Sequence, residues 1–212
     1  MSQLTEYSGF FPIMQTELPG CSTPAILAAL RRAAREFCED TEVWRPDTTV
    51  AIVPDDYQYN IHETDTHVRR IVCVRIVDTT VDSVTDPLAG FMVDANSYHL
   101  NAVAGTYYVR FHTPHIPSDN FDGHTLVVKR ALVPDEIVDS LPDDFLTEWS
   151  TPIRDLALHE LYATPLKPWS NADQAARYWD RYVDQRVRAR FERDHQNKEV
   201  TQTATSGIPF AL

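Results

Sequence analysis

The sequence predicts an α+β fold: a helical bundle built from the N- and C-terminal helices, with an antiparallel β sandwich or barrel-like domain inserted between them. Three observations predict it. Residues 23–45, TPAILAALRRAAREFCEDTEVWR, carry an apolar stripe at helical spacing. The next strong helical patterns lie about a hundred residues later, over Leu141–Thr164 and Ser170–Asp194. Between them the apolar period falls to two, in short β-branched runs separated by Pro, Asp, Asn and Gly. A single amphipathic helix cannot bury its own stripe, so the two ends of the chain need one another. The domain layout that follows is an arm over 1–22, a bundle over 23–45 plus 141–196, an inserted β domain over 46–140 and a tail over 197–212.

The elements follow in order. Residues 1–22 hold Gly9, Pro12, Pro19 and Gly20 beside Phe10 and Phe11, and read as a loop or extended arm, folded over its own core or reaching a neighbouring subunit. Thr23 is placed to cap the first helix, with Pro24 at its first position. Ile26, Leu30, Ala33 and Phe37 form the stripe, with Leu27, Ala34 and Cys38 alongside. Arg32–Glu36 and Arg35–Glu39 stand four apart, so each pair adds a few tenths of a kcal/mol. Arg45-Pro46 ends the helix.

Strands are expected over Thr48–Val53, around Tyr57–Ile61, and over Val68–Val77, whose two apolar faces suit burial on both sides. Further strands are expected over Thr79–Val84, Gly90–Val93, Tyr98–Leu100, Thr106–His112 and His124–Val133. Leu141-Pro142-Asp143-Asp144 opens the second helix, with Phe145, Trp149, Ile153, Leu156 and Leu161 on its apolar face. Ser150-Thr151-Pro152 predicts a kink or a fresh start, because proline removes a helical hydrogen bond. Ser170, with Asp173 three residues on, is the expected cap of the last helix. Its periodicity comes from Ala172, Ala175, Ala176, Trp179, Tyr182, Val183 and Val187 and runs to about Phe191; five arginines crowd its later turns.

The charge excludes some functions. The net charge is −12, and residues 46–150, with six Lys and Arg against seventeen acids, carry −11 of it. No region is strongly basic, which argues against tight sequence-specific DNA binding. The three cysteines are widely spaced and odd in number, which argues against a disulfide framework. The chain has no apolar run near eighteen residues, so no membrane span is expected, and its first residues lack the pattern of a secretory signal.

Chemistry is sparse. Glycine-rich phosphate loops and nucleophile elbows are absent. The densest polar cluster, His62-Glu63-Thr64-Asp65-Thr66-His67, has ligand types suited to a metal, with His112, His115 and His124 able to approach it, but its spacing is that of a polar turn. Asp55-Asp56 and Asp143-Asp144 each follow proline and fit turn and cap chemistry. No catalytic, cofactor-binding or metal-ligating set is assigned, and a non-enzymatic protein is expected. The apolar ending Ile208-Pro209-Phe210-Ala211-Leu212 suits docking in a partner's groove, with Ile208, Pro209, Phe210 and Leu212 as contact residues.

Ala33, Ala34, Glu36, Phe37 and Trp44, then Leu141-Pro142 and Trp149, then Lys167-Pro168-Trp169-Ser170 form a pattern that resembles the head-to-tail adaptor, or connector, proteins of tailed bacteriophages. It covers about a third of the chain, and it departs at Leu166, where the family's turn has glycine. The resemblance implies a virion structural protein of the neck, made in the host cytoplasm. It implies a homo-oligomeric ring of twelve subunits that docks to the portal protein and holds tail or nozzle proteins below. DNA passes through without sequence recognition, and no cofactor is involved. The C-terminal residues 208–212 reach the portal in such rings, and an acidic middle segment suits a channel that repels DNA. A different class, a ligand- or carbohydrate-binding β module of a tail or receptor-binding component, uses Tyr57, Tyr59, Tyr98, Tyr107 and Tyr108 as its face; an enzyme of unknown type ranks third.

Overall fold

The computed structural model describes residues 4–79, 90–113, 116–117, 121 and 123–204, with side chains through residue 195. The chain is α+β and divides into two compact units. One holds residues 1–44 and 133–192; the other holds 45–132 and 193–212.

In the first unit, β1 (Leu4–Glu6) pairs antiparallel with β9 (Ser140–Pro142). A single 3₁₀ turn over Tyr7–Phe10 and a short helix α1 (Phe11–Glu17) follow β1. Tyr7, Met14 and Leu18 are buried, so this segment is folded over its own core, the first of the two arrangements expected, but as a strand, a turn and a short helix and not as the loop or extended arm that its glycines and prolines suggest. The aromatic and apolar side chains between those breakers supply burial that outweighs the turn residues.

Helix α2 (Thr23–Thr41) buries Ile26, Ala29, Leu30, Ala33, Ala34, Phe37 and Cys38. Each large one contributes about 1.5–3 kcal/mol relative to exposure. The cap is Ser22, one residue earlier than expected; its carbonyl accepts from Ala25 and Ile26, and no side chain caps the end. Glu42 turns the chain out in the left-handed region at φ 52°. Trp44, past the helix end, packs on Phe145 at 5.6 Å between ring centroids.

Helix α3 (Asp143–Ala163) continues through Pro152 as one helix, so the fresh start that Ser150-Thr151-Pro152 allows is not made. Trp149, Pro152, Ile153 and Leu156 are all buried, and this packing outweighs the one hydrogen bond that proline removes. Helix α4 (Ala172–Ala204) continues well past Phe191, where the apolar period fades. Its buried side chains are Ala175, Tyr178, Tyr182 and Ala189, whereas Ala172, Ala176, Val187 and Phe191 of the expected stripe are exposed. The buried face is set by Tyr178 stacking on Tyr162 at 5.7 Å and by Tyr182 against Phe37, which periodicity alone does not reveal. Asn171, not Ser170, caps α4: its Oδ1 accepts from the amides of Asp173 and Gln174, both at 3.1 Å. Ser170 instead donates to the Tyr162 carbonyl.

Both ends of the chain therefore share one core. Phe37 of α2 lies 5.6 Å from Trp149 of α3 and 6.4 Å from Tyr182 of α4, and Tyr182 lies 5.6 Å from Trp179. Polar contacts follow the same path. Arg186 of α4 donates to the Asp40 carboxylate at 3.0 Å, and Arg190 to the Asp40 carbonyl at 3.0 Å, at the negative end of α2.

The second unit has two antiparallel sheets. One runs β2 (Asp47–Ala51), β8 (His124–Pro134), β4 (Thr66–Asp78), β5 (Phe91–Met92); β8 ends two residues into the first unit. The other runs β3 (Gln58–Asn60), β7 (Thr106–Phe111), β6 (Tyr98–Val103). Cys73 to Val77 are buried at every position, as two apolar faces predict. Arg75 lies within that run and is paired with Asp47 at 3.4 Å. Arg130, also buried, donates to the Ile61 carbonyl and to Glu63. Gly90 is a forced residue: at φ 84° a Cβ would strike the Ile76 backbone. The expected strand over Thr79–Val84 lies outside the described residues beyond Thr79.

Candidate functional site

The four C-terminal residues singled out for partner binding, Ile208, Pro209, Phe210 and Leu212, lie outside the described residues. The polar cluster of the second unit is dispersed. His67 Nδ1 meets the Tyr107 hydroxyl at 2.9 Å, His62 stacks on the Tyr107 ring, and Glu63 is taken by Arg130. His112 stacks on His99 at 4.7 Å, His124 lies 4.0 Å from Asp78, and His115 is outside the described residues. Among the described residues no group of three His, Cys, Asp or Glu side chains is placed to hold a metal. The acid pairs serve structure: Asp56 accepts from the Gln58 amide two residues on at 3.0 Å, and Asp143, in the first turn of α3, accepts from the Thr5 hydroxyl of β1 at 2.8 Å.

The five tyrosines do not share an exposed face. Tyr59 is buried, with its hydroxyl donating to the Val53 carbonyl and its ring edge-on to Phe111. Tyr98 packs on Phe111, and burial raises its phenol to about 12. Only Tyr57 is largely open, and the Arg110 guanidinium covers its ring at 5.1 Å. Tyr59 and Tyr98 are thus spent on sheet packing.

The surface of the first unit holds the more organised features. The acids of residues 133–150, part of the −11 over residues 46–150, belong to this unit and not to the β unit. Asp139 accepts from Arg31 at 2.8 Å and Glu136 from Arg35 at 2.9 Å, so α2 arginines neutralise part of that charge. Arg35 also keeps its Glu39 partner at 3.1 Å, as spacing predicts. Arg32 does not pair with Glu36; it turns to Glu160 of α3.

Glu36 is thereby left without an ion pair among the described residues. It stands at the rim of a groove of about 350 Å³ whose other walls are Leu156, His159, Glu160, Ala163, Thr164 and Pro165 with the Trp179 ring. Its carboxyl is pushed above the ordinary glutamate range, first by partial desolvation and then by Asp40 and Glu160. His159 is held in place by a 2.9 Å contact of Nδ1 with the Ala175 carbonyl and by the Trp179 ring at 5.0 Å. Next to Trp179, the Tyr182 hydroxyl is fully buried without a hydrogen-bond partner. Sequence reasoning missed this groove, since its residues come from three helices and no spacing along the chain joins them.

Chemically, the groove offers the Glu36 carboxylate beside the Arg32–Glu160 pair, an aromatic face and apolar walls. That set suits a cation with an apolar stem. A second surface feature is the exposed apolar pair Val187 and Phe191 on α4, 61% and 62% exposed. None of the described helices is long and apolar enough to cross a membrane. Comparison of the chain with protein-family models and with curated protein sequences gives no match.

Proposed function

We propose that the protein is a virion structural protein, a head-to-tail adaptor whose copies form a ring between the portal of a phage capsid and its tail. The observation that carries the reading is the aromatic core of Phe37, Trp149, Trp179 and Tyr182, which joins α2 to helices more than a hundred residues later. A helical body closed from both chain ends, with the β segment between them, is what the adaptor pattern requires. The surface features support an assembly role over catalysis: a groove between α2, α3 and α4 suits a cationic side chain, and Val187 and Phe191 stand exposed on a helix of 33 residues. In this reading the mechanism is geometric. Subunits pack side by side, the ring encloses a channel, and DNA passes without being read. The acidic lining of that channel draws on fewer carboxylates than the count over 46–150 implies, because Glu136 and Asp139 are held by α2 arginines.

Native mass measurement of the purified chain tests the reading. A closed ring, twelve copies in the expected form, is the supporting result; a monomer at every concentration up to the solubility limit overturns it. A second test addresses the portal contact. Removing Ile208–Leu212 is expected to leave the helical unit folded and to weaken capture of portal protein in a pull-down; equal capture by the truncated chain refutes the assignment of those residues.

A further inference from the structure

The groove at Glu36 and the arginine edge of α4 stand on opposite sides of the same helix. Trp179 lines the groove. At 3.6 residues per turn, Arg177 and Arg181, two residues either side of it, and Arg188, nine residues on, all fall roughly half a turn away. They form one edge, with Asp184 among them. Arg177 is exposed and makes no ion pair among the described residues. Arg181 reaches the buried Asp155 at 3.2 Å yet is 55% exposed, and Arg188, paired with Glu192, is 64% exposed. The chain thus carries a groove in which Glu160 is paired with Arg32 and Glu36 makes no ion pair among the described residues and, about 180° around α4, a cationic edge with one guanidinium to spare.

We infer that the groove of Glu36, Glu160 and Trp179 binds an arginine side chain of a second copy of this chain, supplied by the Arg177–Arg181–Arg188 edge of that copy's α4. The inference rests on the ring reading above and names the two surfaces that would meet in it. Charge complementarity selects the occupant. The groove presents the Glu36 carboxylate, free of any ion pair among the described residues, beside Glu160, which Arg32 already holds, and an aromatic face; a carboxylate next to a ring is the arrangement that holds a guanidinium by charge-assisted hydrogen bonds and by stacking. Its apolar walls, Leu156, Ala163 and Pro165, suit the arginine stem. Two different patches on one subunit meeting in succession make a heterologous contact. Such contacts run head to tail and close into a ring when the rotation allows, whereas a shared two-fold patch stops at a dimer.

The test is charge reversal in the full-length protein, read by native mass and by sedimentation across a concentration series. Glu36→Lys and Arg177→Glu are each expected to weaken self-association by about tenfold or more, because an attraction across the contact becomes a repulsion. The double variant carrying both reversals in one chain restores association, since every contact then pairs opposite charges again. Both substitutions are at exposed positions, and circular dichroism checks that each variant is folded; if Glu36→Lys is not, Glu36→Gln takes its place, with a smaller loss expected. Single variants that assemble like the parent, or a double variant no better than the singles, overturn the inference while leaving the ring reading intact. A parent chain that never associates overturns the ring reading and this inference together.

Discussion

Replacing Phe37 by alanine probes whether the two ends of the chain share a core. Phe37 is fully buried, with Trp149 on one side and Tyr182 on the other. Removing a buried phenylalanine costs about 3–5 kcal/mol, of which each lost aromatic pair accounts for roughly 0.5–1.5. All four tryptophans, Trp44, Trp149, Trp169 and Trp179, belong to the helical unit, so their fluorescence reports that unit without interference from the sheets. With a urea slope of about 2 kcal/mol per M, the fluorescence midpoint falls by about 2 M. Three of those tryptophans lie more than a hundred residues from the substitution along the chain, so a shift in their common unfolding midpoint reports that α2 unfolds together with α3 and α4. A fall below about 0.5 M, or about 1 kcal/mol on the same slope, refutes the shared core and the adaptor reading with it.

Asn171→Ala removes the side chain that caps α4 and lowers stability by about 1 kcal/mol, whereas Ser170→Ala leaves the urea midpoint nearly unchanged; equal effects refute the assignment of the cap. Leu166 is fully exposed at φ 61°, a conformation that costs a side-chain-bearing residue about 1–2 kcal/mol, so Leu166→Gly raises the thermal midpoint despite glycine's greater entropy when unfolded. A lower midpoint shows that the turn carries no such strain. Glu36 has a folded-state pKa above the ordinary glutamate value, so the folded chain holds its proton more tightly. Stability then falls as pH rises from the ordinary glutamate value through the raised one. Glu36→Gln flattens that part of the stability profile and raises stability at neutral pH, and an unchanged slope over that window refutes the raising of the Glu36 carboxyl by desolvation, Asp40 and Glu160.

What the sequence determined by itself is what short-range physics controls. The apolar period of 3.6 marks α2 and α3, and the period of two marks β2, β4, β7 and β8, because each reports which side of a local element is dry. The need of one stripe for another then implies that α2 meets the C-terminal helices. Tertiary packing decided the rest. It carried α3 through Pro152, because the burial around Trp149 and Ile153 exceeds the loss of one backbone bond. It folded residues 4–18 onto the core, where Tyr7, Met14 and Leu18 outweigh the breakers around them. It rotated the dry face of α4 onto Tyr178 and Tyr182 and left Val187 and Phe191 outside, since a helix with alanines and aromatics on several sides has no single stripe to read. The groove at Glu36 belongs wholly to this second class: a salt bridge chosen by Arg32, across to Glu160 instead of along to Glu36, exists only once α2 and α3 lie side by side.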